Sequence, residues 1–284
     1  MVCSDGSSAA GTGTVLDLAA EVDGYTYPTL AEAVEAVVNS ADKTGTVTLL
    51  KDSSGSGIGL FNAKGAVDVN LTIDFGGHTY TCTDPAVGSS GTESQGFHLE
   101  KDNTVTLKNG TITVAESSQK TVMLIQNYCD LTLEDLSLNG AAVTQYIISS
   151  NYGDMVLNRV NIDGANSNLV ALDVMHWLGT GYADKAPTME IHNTETNTIR
   201  GKIDVYCYGT GSDACTEKPS LTIFGGTFTA DPTNYLAPNS SVRYDEAAGQ
   251  YVVHGHTLTE TAAKDATCDE DENIDQTCRH THSF

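Results

Sequence analysis

Positive charge is scarce in this chain. Its 284 residues hold 14 Lys and Arg against 37 Asp and Glu, a formal charge of −23. Phosphates are gripped by Lys and Arg, so nucleic acid is excluded as a partner. Apolar runs are short. None reaches the roughly 18 residues of a transmembrane helix, which predicts no membrane insertion. The opening Met1-Val2-Cys3-Ser4-Asp5-Gly6 lacks the charged start and apolar stretch of a secretory leader, and Cys3 lacks the apolar lead of a lipoprotein signal. There is one Trp among 284 residues, so any aromatic cluster that includes it stands out.

What the chain has is a repeat. Asn127-Tyr128-Cys129-Asp130-Leu131-Thr132-Leu133-Glu134-Asp135-Leu136-Ser137-Leu138-Asn139-Gly140 returns 24 residues later (151 − 127) as Asn151-Tyr152-Gly153-Asp154-Met155-Val156-Leu157-Asn158-Arg159-Val160-Asn161-Ile162-Asp163-Gly164. Alternate residues of a strand share a face, so Leu131, Leu133, Leu136 and Leu138 point inward, as do Met155, Leu157, Val160 and Ile162. Glu134-Asp135 turns the chain, and Asn139-Gly140 is read as a tight turn that accepts left-handed backbone. A period of this size, built of short strands, predicts a solenoid whose rungs bury a face they cannot bury singly. Further first strands recur around Leu49, Ile73, Leu107, Leu133, Leu157, Ile191 and Ile223, spaced 24, 34, 26, 24, 34 and 32 residues apart, the long gaps being inserted loops. Third strands at 121–125, 145–148, 169–174 and 202–206 predict a triangular cross-section.

Residues 1–24 read as a flexible or irregular lead-in, 25–253 as the solenoid with its cap, and 254–284 as an acidic tail bearing Cys and His. Thr29 with Glu32 three residues on forms a capping box for a short helix, whose Leu30, Ala33, Val34 and Val37 share one apolar face. Such a helix covers the open edge of the first rung.

The rung pattern over 25–253 resembles the right-handed, single-stranded parallel β-helix of the pectate-lyase-like superfold, an all-β class. Tyr27-Pro28-Thr29-Leu30-Ala31-Glu32-Ala33 with Gly45-Thr46-Val47-Thr48-Leu49-Leu50, and Phe224-Gly225-Gly226-Thr227-Phe228-Thr229 near the end, are similar to the opening and closing of adhesin-like surface β-helix proteins from anaerobic gut bacteria. That resemblance implies an extracellular or cell-surface location, with glycans or host surface molecules as partners.

One corner, between third strand and next first strand, carries the variation. There lie Tyr128 and Tyr152, then the loops His176-Trp177-Leu178-Gly179-Thr180-Gly181-Tyr182 and Tyr206-Cys207-Tyr208. If the 24-residue register holds, Tyr128 and Tyr152 stack one rung apart, and Tyr128, Tyr152, His176, Trp177, Tyr182, Tyr206 and Tyr208 form a glycan-binding strip. Sugars pack on aromatic rings, although rings also pack well against each other. Asn127 and Asn151 read as an inward ladder. Asp173 and Asp204 with His176, and with Arg159 and Arg200 nearby, make the weak catalytic set: two carboxylates working on a glycosidic bond, or Asp holding Ca²⁺ while Arg takes a proton, as in the polysaccharide lyases the fold resembles.

Cys207/Cys215 and Cys268/Cys278 are local pairs that predict disulfides and an oxidising compartment. Cys82 and Cys129 read as core thiols. Zn²⁺ at Cys268, Cys278, His280 and His282 ranks behind the bridge, because the spacing matches no familiar finger. Self-association through open solenoid ends is the third functional reading, that of a spacer or filament subunit.

Overall fold

The structure is a computed structural model. It describes residues 17–164, 169–209 and 215–255, together with the backbone of two strands, Thr257–Glu260 and Gln276–Arg279. The fold is an all-β parallel solenoid of about six turns with one short helix near its N-terminus. Each turn has three faces. The first and second faces merge into one sheet because Thr104–Val114, Asp130–Asn139 and Ser220–Phe228 run through the bend between them. The third face is a separate sheet of six parallel strands, from Ile58–Leu60 at one edge to Lys202–Tyr208 at the other.

The first-face ladder follows the apolar repeat. Ile73 pairs with Leu107, then in succession come Leu133, Leu157, Ile191 and Ile223. All are buried at 1 % exposure or less, so they form one continuous inner column. The first step differs from expectation. Ile73 pairs with Val47, 26 residues back (73 − 47), not with Leu49. Leu49 sits at the end of its strand, opposite Ala20 in an antiparallel pair. Strand Ala20–Val22 therefore belongs to the sheet, and the lead-in is an ordered strand from that point.

The bends correct a second expectation. Left-handed backbone occurs at Asn109, Asp135 and Arg159, with φ of 60, 48 and 55°, one rung above another between the first and second faces. Gly140 has no positive φ. It is required for a different reason: a Cβ there would lie 2.7 Å from Ile147 Cδ1. The glycine admits a third-face side chain.

The helix Leu30–Val38 is capped by Thr29, whose Oγ1 accepts from the Glu32 amide, and it buries Leu30, Ala33, Val34 and Val37. It closes the N-terminal end of the core. At the other end the hairpin Ser240–Asp245/Gln250–Gly255 pairs antiparallel with Gly226–Phe228, which stops the parallel stacking.

Candidate functional site

The corner after the third face is built on a register change. On the first face, rungs repeat at 24 residues, as in Leu131 to Met155. The two third-face strands that lead into this corner repeat at 23, as in Ile125 to Ile148. The corner absorbs the extra residue at Gly153, where φ is +77° and a Cβ would meet the Cys129 carbonyl oxygen at 2.4 Å. Asn127 thus lies opposite Ser150, and its Nδ2 donates to Ser150 Oγ at 3.2 Å and to the Cys129 carbonyl at 2.9 Å. Asn151 donates from its backbone amide to Asn127 O at 2.8 Å. Both side chains are fully buried, and Asn127 with the buried Asn103 ties corner backbone together through side-chain hydrogen bonds. The expected Asn127/Asn151 ladder does not form: the side chain of Asn151 accepts from Gln126 Nε2 at 3.3 Å and donates to Ser149 Oγ at 3.0 Å, on the outer side of the third face, while Asn127 faces Ser150.

Tyr128 and Tyr152 share this corner but do not stack on each other. Each packs on Tyr182 instead, with centroids 4.9 and 5.7 Å away. Trp177 touches Tyr182 at 4.9 Å and Tyr128 at 6.0 Å. The chain of rings continues through His98, 5.6 Å from Tyr128, to Phe61, which stacks on His98 at 5.3 Å. Lys101 Nζ lies 5.8 and 5.4 Å from the centroids of Tyr152 and Tyr182 and donates to Gly181 O, which pins the Trp177 loop. Tyr128 is only 9 % exposed, and burial, with Tyr182 beside it, pushes its phenol pKa up. Much of the expected strip is therefore consumed by ring-on-ring packing. Tyr152 keeps a partly open face.

Tyr152 and Tyr128 rim a groove of about 580 Å³ that also meets Asp68, Asp102, Asp130 and Lys185. Lys185 reaches Asp154 at 3.0 Å and Asp130 at 3.7 Å. Burial disfavours its charge, but the bond to Asp154 and the charge of Asp130 outweigh that and raise its pKa. The groove thus presents aromatic edges, carboxylates and one ammonium.

A polar column runs along the outer side of the third face. Register places His98, Gln126, Ser149, Asp173 and Asp204 on successive strands. His98 Nδ1 meets Gln126 Oε1 at 3.2 Å, and Ser149 Oγ donates to Asp173 Oδ2 at 2.6 Å. Asp173 is 1 % exposed, and its Oδ1 has no hydrogen-bond partner among the described residues. Burial raises its pKa to about 6, against a pull downward from Ser149 and Tyr206; Asp204 adds to the rise. Tyr206 and Tyr208, 37 % and 61 % exposed, stand on the edge strand opposite Met175 and Trp177.

The other expected partners are elsewhere. Arg159 is bound to Asp135 and Glu134 at the opposite bend, and Arg200 to Asp163 on the second face. Neither cation accompanies Asp173. His176 is fully buried and turned from the groove, with Nδ1 2.7 Å from Glu217 O. The Cys207–Cys215 disulfide is formed, and Cys82 and Cys129 are buried free thiols; burial pushes the Cys82 thiol up to about 12. The Cys268–Cys278 bridge and the zinc alternative lie outside the described residues. Phe61, His98 and Lys101 escaped the sequence reading. The strand of His98, Gln95–Leu99, is buried at all five positions and so shows no alternation, and Phe61 and Lys101 lie just past the ends of strands Ile58–Leu60 and Gln95–Leu99.

Comparison with family models, curated proteins and solved structures finds no match.

Proposed function

We propose that the chain is an adhesin-like binding module, displayed outside the cell or on its surface, that takes glycans at the Tyr128/Tyr152 corner. The observation that carries this reading is the groove, where a partly open Tyr152 ring faces carboxylates suited to sugar hydroxyls. The disulfide and the resemblance to surface β-helix proteins support the location. Glycan-array binding by the intact chain and by Tyr152→Ala tests it. Loss of one stacking face predicts an affinity drop of about tenfold, roughly 1.4 kcal/mol, with an unchanged circular-dichroism spectrum. An unchanged array signal defeats the reading.

A second reading, polysaccharide cleavage, has one observation in its favour: Asp173 and Asp204 are register neighbours, and burial raises the pKa of Asp173 to about 6. The burial of Asp173 counts against it, because a substrate oxygen has no path to that carboxyl. Release of reducing ends from a polysaccharide panel, abolished by Asp204→Asn, would restore it. The third reading, a filament subunit, draws on the two edges of the third sheet, Ile58–Leu60 and Lys202–Tyr208. Mass rising with concentration in light scattering is its signature.

A further inference from the structure

A separate constellation lies behind the Trp177 loop, and the glycan reading makes no use of it. Parallel pairing sets His176 directly opposite Cys207. The chain then returns so that Cys215 Sγ comes within 3.5 Å of His176 Nδ1. One ligand atom from each of His176, Cys207 and Cys215 lies within 4.8 Å of the other two. The Glu217 carbonyl oxygen faces the same point, 2.7 Å from Nδ1 and 2.9 Å from Cys215 Sγ. The imidazole is fully buried, while its Nε2 has no partner among the described residues. A buried imidazole with an orphaned nitrogen, beside two sulfurs, is costly as mere packing.

The geometry points to a redox-gated site for zinc or a similarly soft divalent cation, held by the Cys207 and Cys215 thiolates and His176 Nδ1, with the Glu217 carbonyl in the fourth position. In the bridged state the sulfurs are bonded to each other and the site is closed. A thiol reductant opens it: two reductant thiols become a disulfide, and the Cys207–Cys215 bond takes up two electrons and two protons. Zinc then displaces both S–H protons. Zn–S bonds of ~2.3 Å and Zn–N bonds of ~2.0 Å in a tetrahedron put donor atoms roughly 3.5–3.8 Å apart, so these donors need only modest movement. Binding at Nδ1 moves the ring proton to the unpartnered Nε2 and replaces the Nδ1–H bond to the Glu217 carbonyl, both atoms turning to the metal instead. Two thiolates and an imidazole suit a borderline-soft ion better than Ca²⁺ or Mg²⁺. Bridge and metal exclude each other, so the occupant of this site reports the redox state around it.

The test uses the full chain, reduced with a phosphine, loaded with Zn²⁺, desalted and assayed by elemental mass spectrometry. Cys207→Ser/Cys215→Ser serves as the reference, because the remaining cysteines are common to both proteins. The reduced wild type is expected to hold one zinc equivalent more than the reference, and the oxidised wild type no more than the reference. Co²⁺ in place of Zn²⁺ should give thiolate charge-transfer and intense tetrahedral d–d bands in the reduced wild type, absent from the reference. His176→Gln should weaken binding by about tenfold or more. Equal zinc content in reduced wild type and reference overturns the site. So does cobalt affinity and band intensity unchanged in His176→Gln. Failure here would leave the glycan array result standing, since the two sites share no residue.

Discussion

The first face and the third face are built by the same winding chain and differ in what they bury. On the first face, inward residues are Leu, Ile, Val and Met, and outward residues such as Thr132 and Val156 stay half-exposed. On the third face the inward column is also apolar through Ile125, Ile148 and Leu172, but the outward side is buried too. His98, Ser149 and Asp173 are sealed beneath neighbours there. Burying polar groups costs stability unless each finds a partner, and Asp173 leaves one oxygen without one. One face is therefore scaffold; the other accepts a stability cost where the aromatic cluster and both candidate sites gather.

Four substitutions test that contrast, in descending order of expected effect. Leu133→Ala, in the first-face column, should lower unfolding free energy by about 2–5 kcal/mol in urea titration, because stacked rungs above and below hold the cavity open. A cost under about 1 kcal/mol would mean that the rungs are not rigidly stacked. Asp173→Asn should act in the opposite direction and depend on pH. The folded pKa is raised to about 6, so the group favours folding below the unfolded value near 4 and loses that contribution as pH climbs through 6. The variant should match wild type at pH 4 and exceed it at pH 7 by up to about 3 kcal/mol, since each pKa unit is about 1.4 kcal/mol. A stability difference independent of pH contradicts the burial of this carboxyl. Asn127→Ala strands the Cys129 amide and carbonyl and the Ser150 hydroxyl, and should cost about 1–3 kcal/mol by thermal melting. Last, Tyr152→Ala should leave the melt within about 0.5 kcal/mol of wild type, as for partly exposed sites, while weakening glycan binding.

The faces also differ in how far they could be read from residues. The first-face ladder was legible because Leu131-Thr132-Leu133 and its copies carry strict alternation, and inner packing tolerates little else. The helix cap was legible for the same reason, down to its four buried residues. The Val47–Ile73 pairing was not, because Val47 and Leu49 are both apolar and only the antiparallel strand Ala20–Val22 decides between them. The 23-residue step of the third face was hidden by a repeat that looks uniform at 24; the shift is taken up at Gly153, whose positive φ no sequence pattern marks. At the site, Tyr128, Tyr152, Trp177 and Tyr182 were correctly placed on one corner, yet their mutual contacts depend on a loop path. The link from Asp173 to Ser149 could be found only once the register was known.

Direct titration of the Asp173 carboxyl by ¹³C NMR tests the sealed outer column most simply. An apparent pKa near 6, falling when Ser149 or its neighbours are opened to solvent, is the predicted result. A value near 4, that of an ordinary solvated aspartate, would show that water reaches this face and would contradict the distinction between the two sides of the solenoid.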